Sequence, residues 1–289
     1  PLSDKFEKIS EPFEFWNPDL FVDDDGRVYF YWGCGNREPI WGIELDPKTM
    51  MPIGEKIACF DHMEDKHGFE RFNFPGKQKE AETGLRRIIS SFLNRSGRPY
   101  MEGAFMNKWN GKYYLQYAAP GTQFPVYGDG YYVSDKPLGP FTYMNNSPFS
   151  SVPGGFIKGA GHGSTIDDKD GNIIHISTMV IAKNQNFERR LGLFPSGLDN
   201  DGLLYCNQYF TDYPVVLPDG KYNPMDIKPK YMLLSYNKKA KASSSQEGFG
   251  VELAVNEDIR TWWACKETNG WYELDLGDVY KPHSVQINF

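Results

Sequence analysis

The chain has no apolar run near the ~20 residues that a membrane-spanning helix needs, and long apolar patterns at helical spacing are scarce. It lacks paired cysteines. Cys34, Cys59, Cys206 and Cys265 are scattered with no CxxC spacing, which excludes the usual zinc and redox motifs. The four thiols read as buried groups. It also lacks an excess of positive charge: the formal net charge is −7, which argues against nucleic acid and anionic membrane surfaces as partners. No initiator methionine stands at position 1 and no signal peptide precedes the first motif. Both ends read as cut, the last in the middle of an alternating strand at 284–289, so the missing targeting signal locates nothing.

What the chain has is aromatics, at 16% of its 289 residues, with 29 Gly and 20 Pro. Short aromatic and aliphatic runs punctuated by turn residues predict an all-β protein. Asp-Gly or Asn-Gly recurs at Asp25-Gly26, Asn110-Gly111, Asp170-Gly171 and Asp201-Gly202, each followed by an aromatic or aliphatic strand. Both residues of such a pair tolerate positive φ, which a tight hairpin turn requires. The recurrence reads as one repeated supersecondary unit, as in a β-propeller.

Taken in order, Trp16-Asn-Pro-Asp19 opens a strand that turns at the acidic cluster Asp23–Gly26 into a second strand at 27–32. That cluster reads as a hairpin turn, because calcium loops need wider ligand spacing. Asp19 stands apart from it and suits either a turn cap or a site. Residues 60–98 read as a charged insert with one amphipathic helix at 78–94. His62 and His67, beside Asp61, Glu64 and Asp65, meet no metal-ligand spacing and read as a solvated loop. Glu102-Gly103 then stands at the mouth of a hairpin with strands at 104–109 and 112–119. A carboxylate so placed, beside aromatics and a glycine that admits a ligand, suits a general acid; on spacing alone it is equally a solvated Glu before a strand. His162, within Gly159-Ala-Gly-His-Gly163, reads either as a hydrogen-bonded core residue or as a ring facing a cavity. Arg189 and Arg190 point to opposite faces of any strand that holds them, so one can reach inward. Trp16, Trp109, Phe124 and Tyr127 are candidates to stack on a bound ligand, with core packing the alternative for each and the favoured one for Trp109, which precedes the turn. A composition shift near Asn237 separates residues 1–236 from 240–289, where 253–263 and 271–277 read as the start of a β-sandwich.

Four motifs in order carry a resemblance: Trp16-Asn-Pro-Asp-Leu-Phe21, Met101-Glu-Gly103, Gly159-Ala-Gly-His-Gly163 and Glu188-Arg-Arg-Leu191. Residues 1–236 resemble the later blades of glycoside hydrolase family 43, a five-bladed β-propeller whose first blade is missing here. The resemblance implies that Glu102 is the general acid and that Asp19 modulates its pKa, raising it by like-charge repulsion. It implies that His162 lines the cavity, in some members helping to hold a calcium ion or a water on the axis, and that Arg189 or Arg190 binds substrate. The family's base, an Asp of the first blade, has no counterpart in this chain, and the 289-residue chain by itself is expected to be inactive. Residues 240–289 resemble the opening of a discoidin-type carbohydrate-binding domain through Ala242-Ser-Ser244, Asn256-Glu-Asp-Ile-Arg-Thr-Trp262 and Trp271-Tyr-Glu-Leu-Asp-Leu-Gly277.

The function expected is an inverting glycosidase of the β-xylosidase or α-L-arabinofuranosidase type. Its partner would be an arabinoxylan-like plant polysaccharide, and it would need no cofactor beyond a structural calcium at most. The resemblance alone implies an extracytoplasmic location. The alternative is a catalytically impaired carbohydrate-binding protein on the same propeller. A transglycosidase or fructan hydrolase on a similar propeller is a third reading.

Overall fold

A computed structural model describes residues 17–36, 38–64, 66–71, 100–154, 157–180, 189–208, 216–228, 231–258 and 261–287. Trp16 and the expected helix at 78–94 lie outside them. The described residues form antiparallel sheets, and none of their helices is long and apolar enough to cross a membrane.

The first sheet is a meander of β1 (Asp19–Val22), β2 (Val28–Trp32), β3 (Ile40–Leu45) and β4 (Pro52–Phe60). The second runs β5 (Glu102–Trp109), β6 (Lys112–Ala119), β7 (Gly128–Ser134) and β8 (Thr142–Tyr143), with β9 (Ser150–Ser151) also paired to β7. The third runs β10 (Lys158–Asp167), β11 (Ile173–Val180), β12 (Arg189–Leu198) and β13 (Leu204–Cys206). All four expected Asp/Asn-Gly turns close hairpins within these sheets. At the tightest, Asn110 and Gly111 both take positive φ, 53° and 76°, and Trp109 pairs directly with Lys112. That is the geometry a two-residue turn demands.

Aromatics weld the first two sheets. Tyr29, Tyr31, Tyr113, Tyr117 and Tyr132 share one buried cluster with Ile40, Met101 and Leu115, and Phe60 stacks on Tyr132 at 3.9 Å between centroids. Polar ties run between sheets as well. Asp23 is buried in the first sheet, where its carboxylate accepts from Lys108 Nζ at 2.5 Å and from Tyr113 Oη at 2.6 Å. The acidic turn is thus structural, as expected. The strand β4 was not expected, because an edge strand with one exposed flank (Gly54, Glu55, Lys56) has no apolar alternation to mark it.

Within the charged insert expected at 60–98, the solvated reading of His62 and His67 is overturned. His62, His67 and Glu70 are 7%, 6% and 0% exposed. Glu70 accepts from Tyr117 Oη at 2.6 Å and from the Met63 amide at 3.0 Å, and pairs with His67 Nδ1 at 2.9 Å. His67 stacks on Tyr143 at 3.4 Å. Tertiary burial, with each polar atom given a partner, outweighed the local hydrophilicity.

Near the C-terminus, β14 (Lys239–Ala242) pairs with β15 (Tyr272–Asp275). Trp263 packs on Tyr272, and its indole N–H donates to the Ser244 carbonyl at 3.0 Å.

Candidate functional site

The first strands of the three sheets, β1, β5 and β10, lie side by side. Asp19 Oδ2 on β1 accepts from the Met106 amide on β5 at 2.7 Å. Asn107 on β5 donates through Nδ2 to the Thr165 carbonyl on β10 at 2.9 Å. This alignment brings three of the expected site positions, Asp19, Glu102 and His162, onto neighbouring strands.

Glu102 opens β5 where the ladder slips register before Phe105. Such an irregularity re-aims a side chain. Gly103 takes φ +67°, and a Cβ there would press on the His162 ring at 3.1 Å, so the bare glycine makes room for the histidine. The Glu102 side chain is 12% exposed. Its Oε1 accepts from Tyr127 Oη at 2.6 Å and its Oε2 from Asn17 Nδ2 at 2.9 Å. Cys34 Sγ and His162 Nδ1 each lie 3.6 Å from Oε2. Burial pushes the Glu102 carboxyl upward, but His162, Tyr127 and Asn17 together outweigh it and hold it below the usual carboxylate range. His162 shifts the other way: the Glu102 contact, opposed by burial, holds its imidazole above the ordinary histidine range. The two form an acid–base pair in which each shift favours the charged form of its own group.

Asp19 behaves differently. It is half-buried, and burial pushes its carboxyl up to about 6, against the pull of the Met106 and Leu20 amides. Of the two carboxyls, Asp19 is the one held above its ordinary range and Glu102 the one held below. Burial also pushes the Cys34 thiol up to about 11, so Cys34 faces Glu102 as a neutral thiol, with Tyr100 Oη at 3.2 Å.

The two adjacent arginines divide as strand geometry requires. Arg189 is half-buried, and its guanidinium donates to Thr122 Oγ1 at 2.9 Å and to the Thr122 carbonyl at 2.8 Å. Burial lowers its pKa, while the charges of Tyr127 and Glu102 act in the opposite sense. Arg189 therefore faces the Glu102 neighbourhood, and Arg190 is exposed. Phe124 is half-buried in the same loop, between Thr122 and Tyr127. Trp109 packs edge-on against Tyr114 with its indole N–H on Asp167, as a core residue. Tyr127 is not a sugar-stacking surface: it is 1% exposed, its ring fills the space that Gly161 leaves open, and its hydroxyl is spent on Glu102.

Sequence reasoning missed Asn17 and Tyr127 as the two groups that hold Glu102. Asn17 occupies the variable position of Trp-x-Pro-Asp, so the motif gave it no weight. Tyr127 stands out locally only as a stacking aromatic, and nothing near it in sequence ties its hydroxyl to Glu102. Tyr127→Phe is expected to lower stability by about 1 kcal/mol and to raise the Glu102 pKa. Chemical denaturation and a carboxyl titration by NMR would show both shifts.

Calcium takes six to eight oxygen ligands. The His162 ring has one carboxylate neighbour, Glu102, and no cluster of three or more His, Cys, Asp or Glu among the described residues is arranged to hold a metal.

A family model for glycosyl hydrolases family 43 matches residues 8–204. A β-xylosidase from Xylanibacter ruminicola is 31% identical over 140 residues, covering 44% of this chain and 39% of that protein. An arabinoxylan arabinofuranohydrolase from Paenibacillus polymyxa is 30% identical over 138 residues, covering 45% of this chain and 18% of that protein. The alignments thus span about two fifths or less of these curated relatives. Among solved structures, a thermostable family-43 glycoside hydrolase superposes with a TM-score of 0.56 at 21% identity, over 74% of this chain and 63% of that one. An endo-1,4-β-xylanase from Bacteroides thetaiotaomicron gives 0.53 at 21% identity, over 72% and 64%. Likeness at that identity is likeness of fold, and it agrees with the antiparallel sheets described above. With the family model covering residues 8–204, the chain belongs to glycosyl hydrolase family 43.

Proposed function

We propose that the protein is an inverting glycosidase that removes β-xylosyl or α-L-arabinofuranosyl units from a plant polysaccharide, arabinoxylan-like in type. The observation that carries this reading is the Glu102–His162 pair, a sheltered carboxylate 3.6 Å from an imidazole whose protonated form it favours. Family membership and relatives named as a xylosidase and an arabinofuranohydrolase support it.

In this reading His162 stores the proton and returns it to Glu102 as the site fills and water leaves. Glu102 then delivers it to the departing glycosidic oxygen. Asp19, its carboxyl already near half-protonated at mildly acid pH, tunes the local charge. Arg189 and Phe124 grip the sugar. The inverting geometry also needs a base carboxylate roughly 6.5–9.5 Å from the acid, with a water between them, and no residue of this chain is assigned that role.

The same reading takes the three sheets as blades of a five-bladed propeller over residues 1–236. It takes 240–289 as the opening of a discoidin-type β-sandwich that holds glycan near the site. It also puts the protein outside the cytoplasm, where polymeric substrates are.

The test is proton NMR of the anomeric signals while full-length protein acts on xylo-oligosaccharides and on arabinosylated xylan. Appearance of α-xylose before mutarotation is the expected result. β-Xylose as first product would overturn inversion. Bound oligosaccharide with no product would favour the carbohydrate-binding alternative.

A further inference from the structure

Behind His162 runs a line of polar side chains that the proposed chemistry does not use. Gln116, Asp129, Thr165 and His175 are each at most 1% exposed. They come from four strands, β6, β7, β10 and β11, so they cross between two sheets.

The direction of each proton from Asn107 to His175 Nδ1 is fixed from one end. The Thr165 carbonyl can only accept, so the Asn107 side-chain atom 2.9 Å from it is the amide nitrogen. Asn107 Oδ1 is left to accept from Gln116 Nε2 at 2.6 Å. Gln116 Oε1 must then accept from the Thr165 hydroxyl at 2.7 Å. That hydroxyl has one proton and has given it away. Its remaining contact, His175 Nδ1 at 2.8 Å, is therefore an N–H that donates. On the far side of the ring, Nε2 lies 2.9 Å from Asp129 Oδ2. Asp129 already accepts the His162 amide on Oδ1 at 2.8 Å and the Gly163 amide on Oδ2 at 3.0 Å. Two main-chain donors suit a carboxylate, so Nε2 donates as well.

We propose that His175 is a buried imidazolium locked to Asp129, and that Asp129 is thereby a positioning residue for His162. His162 sits at φ +55°, a left-handed conformation that costs energy for a residue with a side chain and persists only where its surroundings enforce it. The Asp129 carboxylate grips both peptide N–H groups that flank the His162 Cα unit, and so sets where the ring meets Glu102. Gly163 is part of the same lock: a Cβ there would overlap the His175 ring and come within 2.7 Å of Asp129 Oδ2. Histidine is required at 175 because the line ends in an acceptor on both sides, Thr165 Oγ1 and Asp129 Oδ2, and imidazolium is a rigid donor to both. The Nδ1–H assignment stands on hydrogen-bond direction, and the ion pair on the two main-chain donors that suit Asp129 as a carboxylate. Only its consequence for rate rests on the glycosidase reading.

Nitrogen-15 NMR of the histidine rings in the wild-type full-length protein tests the lock directly. Both His175 nitrogens are expected to be protonated at neutral pH, and an unprotonated Nδ1 or Nε2 would overturn the assignment. The second measurement is Asp129→Asn. It is expected to shift the His162 ring resonances and to lower kcat by about 10²-fold, the scale of a misplaced catalytic group, with KM nearly unchanged. Wild-type kcat with unmoved His162 signals in the folded variant would overturn the positioning role. Should that variant not fold, Thr165→Val, which removes the acceptor for Nδ1, takes its place with the same readouts. An inactive wild type would count against the glycosidase reading, while the ring-nitrogen spectra would still decide the lock.

Discussion

Glu102→Gln is expected to reduce turnover of xylo-oligosaccharides by about 10²–10⁴-fold, the usual contribution of a positioned general acid. The amide is isosteric, and it can still accept from Tyr127 through its oxygen. The fold is therefore retained, and only the transferable proton is lost. The diagnostic readout is dependence on the leaving group. Aryl glycosides whose phenol departs readily need little protonation and should lose far less rate than natural oligosaccharides. An equal loss on both, or none on either, would remove Glu102 from the acid role. The pH profile carries a second signature. The resting pair keeps its proton up to the raised pKa of His162, although Glu102 alone is held below its ordinary value. The alkaline limb of the wild-type profile should therefore fall through the histidine range and not through the carboxylate range, and it should be absent from the variant's residual activity.

Asp19→Asn should make the protein more stable and less active at once. Burial lifts the Asp19 carboxyl from 3.8 to about 6 in the folded state, so the folded form binds the extra proton over that interval. Stability then falls as pH rises from about 4 to about 6, and above that the ionised Asp19 costs about 3 kcal/mol for a two-unit shift. Asparagine cannot ionise, and its carbonyl oxygen can still take the Met106 amide that Oδ2 accepts at 2.7 Å. The variant is expected to unfold later than wild type at pH 7, by roughly 5–10 °C, with most of the gain gone below pH 4. Loss of the carboxylate should meanwhile lower kcat. Scanning calorimetry at several pH values checks the first half. A variant less stable than wild type at pH 7 would show that the Asp19 charge is better accommodated than its burial implies.

Such coexistence of strain and function fits the rest of the site. A left-handed His162, a slipped ladder at Glu102 and a half-buried Asp19 are local costs gathered at one place, as expected where geometry serves chemistry. The surrounding Tyr and Phe clusters stabilise the sheets that hold them.

The sequence by itself determined the hairpins, and it singled out Asp19, Glu102 and His162, which the fold brings onto neighbouring strands. Asp-Gly and Asn-Gly turns are specified by backbone energetics within four residues, and the family motifs are short and contiguous. It also limited the arginines to one inward and one outward, because strand alternation is a local rule. Only the tertiary structure decided that Arg189 is the inward one, since that depends on Thr122, 67 residues away. The same holds for Asn17 and Tyr127 on Glu102, which are 85 and 25 residues distant from it. It holds again for the burial of His62, His67 and Glu70 in a stretch that reads locally as solvated. Periodicity and turn chemistry act over a few residues, whereas pKa shifts and hydrogen-bond direction depend on whichever strand is folded alongside. For that reason the sequence places Glu102 at the mouth of a hairpin, and only the packing of β5 against β10 brings the His162 ring to 3.6 Å from it.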